Sequence, residues 1–229
     1  MGHRQIADLA AKVRFLSDPA AYGSGTTHVD VRETHMSWVF LTDDLVYKLK
    51  KPVRHAFLDF STIRKRHFYC GEELRLNARL AAETYRRVLP LRRDASGRLT
   101  LGGGGRAVDW LVEMKRLPQS DMLDERIGGR GRGRLTVAEI DVVAKTLADF
   151  YAQSRSEIDG GGAYLRHLTG EQSINRAILL RPEFALADIV SGSLDMVDGL
   201  LQRLRPRIEA RILRGRIVEG HGDLRPEHV

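Results

Sequence analysis

The hydrophobic period of this chain changes at Pro118. Before it, apolar residues alternate with polar ones in short runs bounded by turns; after it, they recur every three or four positions. The run "SWVFLTDDLVYKLKK" reads as two strands joined at the polar turn Asp43-Asp44. A second group, "RVLPLRR", "GRLTL" and "AVDWLVEMKRL", reads as further strands, separated by Asp94-Ala95-Ser96-Gly97 and by Gly102 to Gly105. Between the groups, "TIRKRHFYCGEELRLNARLAAE" predicts a helix capped by Ser61, with Ile63, Cys70, Leu74 and Ala81 on one stripe. "MGHRQIADLAAKVRFL" predicts an amphipathic helix at the N-terminus, with Ile6, Leu9, Ala10 and Val13 on its apolar face.

Beyond Pro118 the pattern is helical. Thr136-Val137-Ala138-Glu139 is a capping box, followed by the stripe Ile140, Val143, Ala144, Leu147 and Tyr151. The stretches 163–180 and 194–213 also predict helices, the second kinked at Pro206. There is no internal repeat. The expected fold class is α+β. Residues 1–118 form a lobe with the N-terminal helix, an antiparallel sheet and one long helix, and residues 119–229 form a helical lobe.

No apolar run approaches the roughly 20 residues of a membrane helix. The N-terminal segment lacks the apolar core and cleavage site of a signal peptide. The single cysteine, Cys70, has no internal disulfide partner, and a cytoplasmic location follows as the default. The formal charge of +7 raises the question of nucleic acid. Only seven of the 37 basic residues are lysine, and the arginines are spread along the helical stretches, so a generic basic surface is the preferred reading. "GGRGRGR", Gly128 to Arg134, is similar to an RNA-binding Arg-Gly tract but is one short copy, and is read as an ordinary loop.

The segment richest in chemistry is the last, "EGHGDLRPEHV". His221 and Asp223 lie two apart after a long helix. A carboxylate on such a loop can accept a proton from a substrate hydroxyl as a phosphoryl group arrives in line. Gly220, Gly222 and Asp223 would also serve as a helix-ending turn.

"HGDLRPEHV" resembles the catalytic loop of aminoglycoside phosphotransferases and choline kinase-like enzymes, and the resemblance extends upstream. "THMSWVFLTDDLVYKLKKPV", "FLDFST", "EELRLNARL", "VDWLVEMKRLP" and "LADFY" are together similar to a bacterial group of predicted kinases of that type. Members of the group are often joined to a C-terminal P-loop kinase-like domain. The resemblance implies a protein-kinase-like two-lobe fold, ATP and Mg2+ as cofactors, and a small-molecule hydroxyl as acceptor.

It also implies roles. Asp223 would be the base and His221 its neighbour on the loop. Lys48 would contact the ATP phosphates, with Lys50, on the same face of the strand, as the alternative. Glu73 would pair with that lysine, and Glu72 is nearly as well placed. Met114, Lys115, Arg116 and Leu117 would form the adenine-binding hinge through main-chain groups. Thr34 to Ser37 would occupy the place of the phosphate-covering loop, although it is not glycine-rich. The glycines at 102–105 are not a phosphate loop, since no Gly-Lys-Ser/Thr follows.

Two features depart from the family pattern. His228 stands where the pattern has a metal-binding Asn, and magnesium prefers oxygen ligands. The chain ends at Val229, before the second metal-binding aspartate, so the helical lobe is expected to be incomplete at the catalytic loop, and the metal ligands are left unassigned. Three functions compete: an ATP-dependent phosphotransferase, a nucleotide-binding pseudokinase that regulates a partner domain, and a basic nucleic-acid-binding protein.

Overall fold

A computed structural model describes residues 3–55, 58–154 and 162–229, with side chains from residue 8 onward and excluding that of His228. Two compact units result: one runs to Ile140 and includes Asp223–Val229, and the other comprises Asp141–Gly222.

The first unit is built on a six-stranded antiparallel sheet. Its strands are β1 (Asp30–Glu33), β2 (Ser37–Leu41), β3 (Leu45–Lys50), β4 (Tyr85–Arg93), β5 (Leu99–Leu101) and β6 (Arg106–Lys115), in the order β1-β2-β3-β6-β4-β5. The turn predicted at Asp43-Asp44 is present. The hydroxyl of Thr42 donates to the Leu45 carbonyl at 2.9 Å and accepts the Leu45 N–H at 3.1 Å. Thr34 staples the β1–β2 turn to Ser37 in the same way, with both bonds at 3.0 Å. In register, Lys48 lies opposite Val112 and Val39, and Lys50 opposite Ser37.

Helix α1 (His3–Leu16) supplies Leu16 to a core with Phe40, Tyr47, Leu49, Leu91, Val108 and Leu111. Complete burial of a large apolar side chain contributes about 1.5–3 kcal/mol. Within the predicted apolar face of α1, Leu9 and Val13 pack on this core, while the side chain of Ile6 lies outside the described residues. Helix α2 (Ile63–Ala81) packs on β4 and β6. Its cap is Thr62, whose hydroxyl accepts the Lys65 N–H at 3.2 Å, and not Ser61. Ser61 is taken up one residue earlier, giving both its N–H and its hydroxyl to Asp59. Of the predicted stripe, Cys70 is buried but Ile63 is exposed, and Arg66 is buried.

The unit boundary is not at Pro118. Residues 119–140 stay with the sheet-bearing unit because they are bonded to one another and to the C-terminal segment. Helix α3 (Leu123–Ile127) gives its Leu123 N–H to the Val229 carbonyl at 2.9 Å. The side chain of Arg126 forks onto Glu139 at 2.7 and 3.0 Å. Glu139 also closes the predicted capping box with Thr136 at the start of α4 (Val137–Gln153), within which the division falls.

The second unit holds the rest of α4, with α5 (Gly162–Leu179) and α6 (Ala187–Leu213) packed on one another. Gln172 reaches the Leu194 carbonyl at 3.3 Å, and Arg176 binds Asp198. Helix α6 begins earlier than the sequence pattern predicts, and Pro206 lies inside it.

Candidate functional site

The pleat of β3 sends Lys48 and Lys50 to one face, and α2 brings Glu73 to meet both. The Lys48 ammonium lies 2.8 Å from Glu73 Oε1, and Lys50 donates to Oε2. The two lysines differ in exposure: 32% of the Lys48 side chain reaches solvent but only 6% of Lys50. The Lys50 ammonium also lies 4.9 Å from the centre of the Phe60 ring. Glu72, the other candidate, pairs along its own helix with Arg75 at 2.9 Å. Two ammonium groups against one carboxylate leave a surplus positive charge, placed on the partly exposed Lys48.

Burial pushes the Glu73 carboxyl up, but Lys48 and then Lys50 outweigh it, so the group sits below its ordinary value. Burial and the Glu73 charge raise the nearby Tyr85 hydroxyl to about 12. Burial likewise raises the Cys70 thiol to about 12, which keeps it a thiol and unreactive at neutral pH. A lowered folded-state value means that Glu73 contributes its full stability above the unfolded glutamate value, about 4.3, and loses it as pH falls through the folded value. Urea melts between pH 7 and pH 3 should therefore show a shallower loss of stability in Glu73→Gln than in the wild-type protein. Parallel pH curves would remove the linkage.

The expected hinge is partly occupied. The Lys115 N–H donates to the Thr84 carbonyl and the Arg116 N–H to that of Asp44, both at 2.8 Å. The Arg116 side chain binds the Thr42 carbonyl at 2.6 Å. These donors continue the pairing of β6 past the starts of β4 and β3, so neither is open to adenine. Leu117, the next residue, makes no main-chain hydrogen bond among the described residues. Ser37, expected in the phosphate-covering loop, is 1% exposed and opposite Lys50 in the sheet, and its main chain is stapled by Thr34. Because Thr34–Ser37 repeats the device of Thr42–Leu45, a structural turn accounts for it.

Asp223 follows Gly222, whose φ of +84° favours glycine. Its carboxylate is 67% exposed and lies 3.2 Å from Arg225 Nε. Arg225 reaches on to Glu227 at 2.9 Å and was not singled out in the sequence, although its place two residues after Asp223 was legible. His221 is half-buried. Among the described residues no group of three or more His, Cys, Asp or Glu could hold a metal ion.

A buried ionic cluster was also missed. Asp109 on β6 accepts from Arg66 of α2 at 2.7 and 2.9 Å and from Lys12 of α1 at 2.9 Å. Lys12 also pairs with Asp8, and Arg66 binds the Phe60 carbonyl at 2.9 Å. Charged residues in an otherwise apolar strand were the available signal.

The Arg-Gly loop turns back on its own unit. Arg130 binds Glu125 at 3.0 Å, and Arg132 lies 3.6 Å from Asp121. In the second unit, a cavity of about 750 Å³ between α5 and α6 is lined by Arg166, Gln172, Arg205 and Glu209 among others, and by none of the predicted site residues. Among the described residues no helix is long and apolar enough to cross a membrane.

The chain is similar to uncharacterized proteins of Mycobacterium bovis and of two strains of Mycobacterium tuberculosis. Each is 32% identical over 216 residues, covering 88% of this chain. The chain spans 39% of the length of these relatives. No family model matches the sequence, and no solved structure matches it.

Proposed function

We propose that this chain is the nucleotide-binding part of an ATP-dependent phosphotransferase that acts on a hydroxyl of a small molecule. The observation that carries the reading is the Lys48–Glu73 pair, in which a strand lysine is held at 2.8 Å by a glutamate of the helix packed on the sheet. A lysine is a compact charge on a long stem, suited to reaching phosphate oxygens from a rigid strand. The surplus positive charge of the site fits a polyphosphate. Leu117 N–H takes the place of the occupied hinge donors as the group offered to adenine.

Asp223 would accept the proton of the acceptor hydroxyl. The hydroxyl oxygen bonds to the γ-phosphorus, the bond to the bridging oxygen breaks, and ADP leaves. Among the described residues no group of three or more His, Cys, Asp or Glu could hold a metal ion, so no step is assigned to Mg2+. The acceptor, a cytoplasmic location and a C-terminal P-loop partner domain belong to this proposal. A second reading, a nucleotide-binding regulatory domain without turnover, is favoured by His228 in place of a metal-binding Asn.

Thermal denaturation tests the reading against nucleic-acid binding. ATP with Mg2+ at a hundred times its Kd should stabilise the protein by about 2.7 kcal/mol. Lys48→Met should remove most of that effect, and a short RNA should not reproduce it. Protection by RNA, with none by nucleotide, would refute the proposal.

A further inference from the structure

The two lysines on Glu73 have different consequences if disturbed. An anion that draws Lys48 away leaves Glu73 still neutralised by Lys50. Movement of α2 away from β3 instead strands the Lys50 ammonium, which is 6% exposed and, among the described residues, is held by Glu73 and the Phe60 ring. A buried charge stripped of its partner is far costlier than a half-solvated one.

Helix α2 is held at a second point. Arg66 lies two turns before Glu73, on the same side of the helix, and forks onto the buried Asp109. The two clamps together fix the rotation and height of α2 against β3 and β6. They differ in how charge is shared. Lys12, Arg66 and Asp109 draw on Asp8 at the surface, which Arg93 shares at 3.2 Å, whereas Lys48 and Lys50 share Glu73.

We propose that Lys50 is a positioning residue. It is the permanent partner of Glu73, holds α2 engaged with or without nucleotide, and leaves Lys48 free to move to a phosphate. The identity of the anion rests on the reading above; the division of labour between the lysines rests on the geometry alone.

Two measurements on the 229-residue chain test this. The first follows lysine ammonium resonances by nitrogen-15 NMR without nucleotide. The slowly exchanging signal of Lys50 should persist in Lys48→Met and disappear in Glu73→Gln. Lys12, equally buried, should keep its signal in every variant and so report an intact fold. Rapid exchange of Lys50 in the wild-type protein, or loss of its signal in Lys48→Met, would overturn the proposal.

The second measures ATP affinity with Mg2+. Lys50→Met should weaken binding about tenfold, the size of one charge-assisted contact, because the lone Glu73 then captures Lys48. Adding Glu73→Gln should restore most of the loss by releasing Lys48. A double variant as weak as Lys50→Met would overturn the positioning role, since Lys50 would then act through stability alone. If the wild-type chain binds no ATP, the nucleotide reading falls and the ammonium pattern alone decides the role of Lys50.

Discussion

Asp109→Ala is expected to destabilise the protein by about 3–5 kcal/mol, the usual cost of stranding a buried charge. The side chain is 2% exposed and accepts hydrogen bonds from Arg66 and Lys12, both as deeply buried. Removing it leaves two buried cations, with Asp8, at the surface end of the cluster and shared with Arg93, left to neutralise Lys12. A domain is usually stable by only 5–15 kcal/mol in total, so this single change should bring the first unit near unfolding at 37 °C. Replacing Lys12, Arg66 and Asp109 together with apolar residues of similar size should recover most of the loss, because no buried charge is then left and Asp8, at the surface, keeps Arg93 at 3.2 Å. Urea melts of the single and triple variants measure both effects. A loss below about 1 kcal/mol in Asp109→Ala would place the cluster among weak surface pairs.

The strands were legible because each turn carries its own chemistry. Thr42 and the two aspartates after it mark one hairpin, and Asp94 takes the Ser96 and Arg98 N–H groups to mark another. Alternation along β3 then put Lys48 and Lys50 on one face, and the family resemblance pointed to Glu73 as their partner. What alternation does not report is exposure, so the sequence left open which lysine is buried. It also hid the Asp109 cluster, since Arg66 and Lys12 on amphipathic helices look like solvated residues until a partner is placed beneath them. The hinge was legible only in outline for a local reason: backbone donors carry no sequence signal, and only the sheet register shows that the Lys115 and Arg116 N–H groups are occupied. The attachment of residues 119–140 to the first unit was not legible at Pro118, because its ties include a backbone bond to Val229, about a hundred residues away in sequence.

Asp223→Asn, made in the full-length protein, is expected to lower turnover by about 10²–10⁴, the usual contribution of a general base. The amide keeps the shape of the side chain but cannot take the hydroxyl proton. Nucleotide affinity should change little, because in this reading ATP is held by Lys48 and by main-chain groups near Leu117, not by Asp223. Stability should also change little: the carboxylate is 67% exposed, and an exposed pair such as that with Arg225 contributes about 0–1 kcal/mol. Loss of turnover with both other quantities unchanged separates a base from a turn-capping residue, whose replacement by Asn, an equally good cap, would spare activity as well as stability. It also separates the enzyme from the regulatory reading, since a domain without turnover has nothing to lose at this position. A folded Asp223→Asn variant with full activity would end the assignment of Asp223 as base.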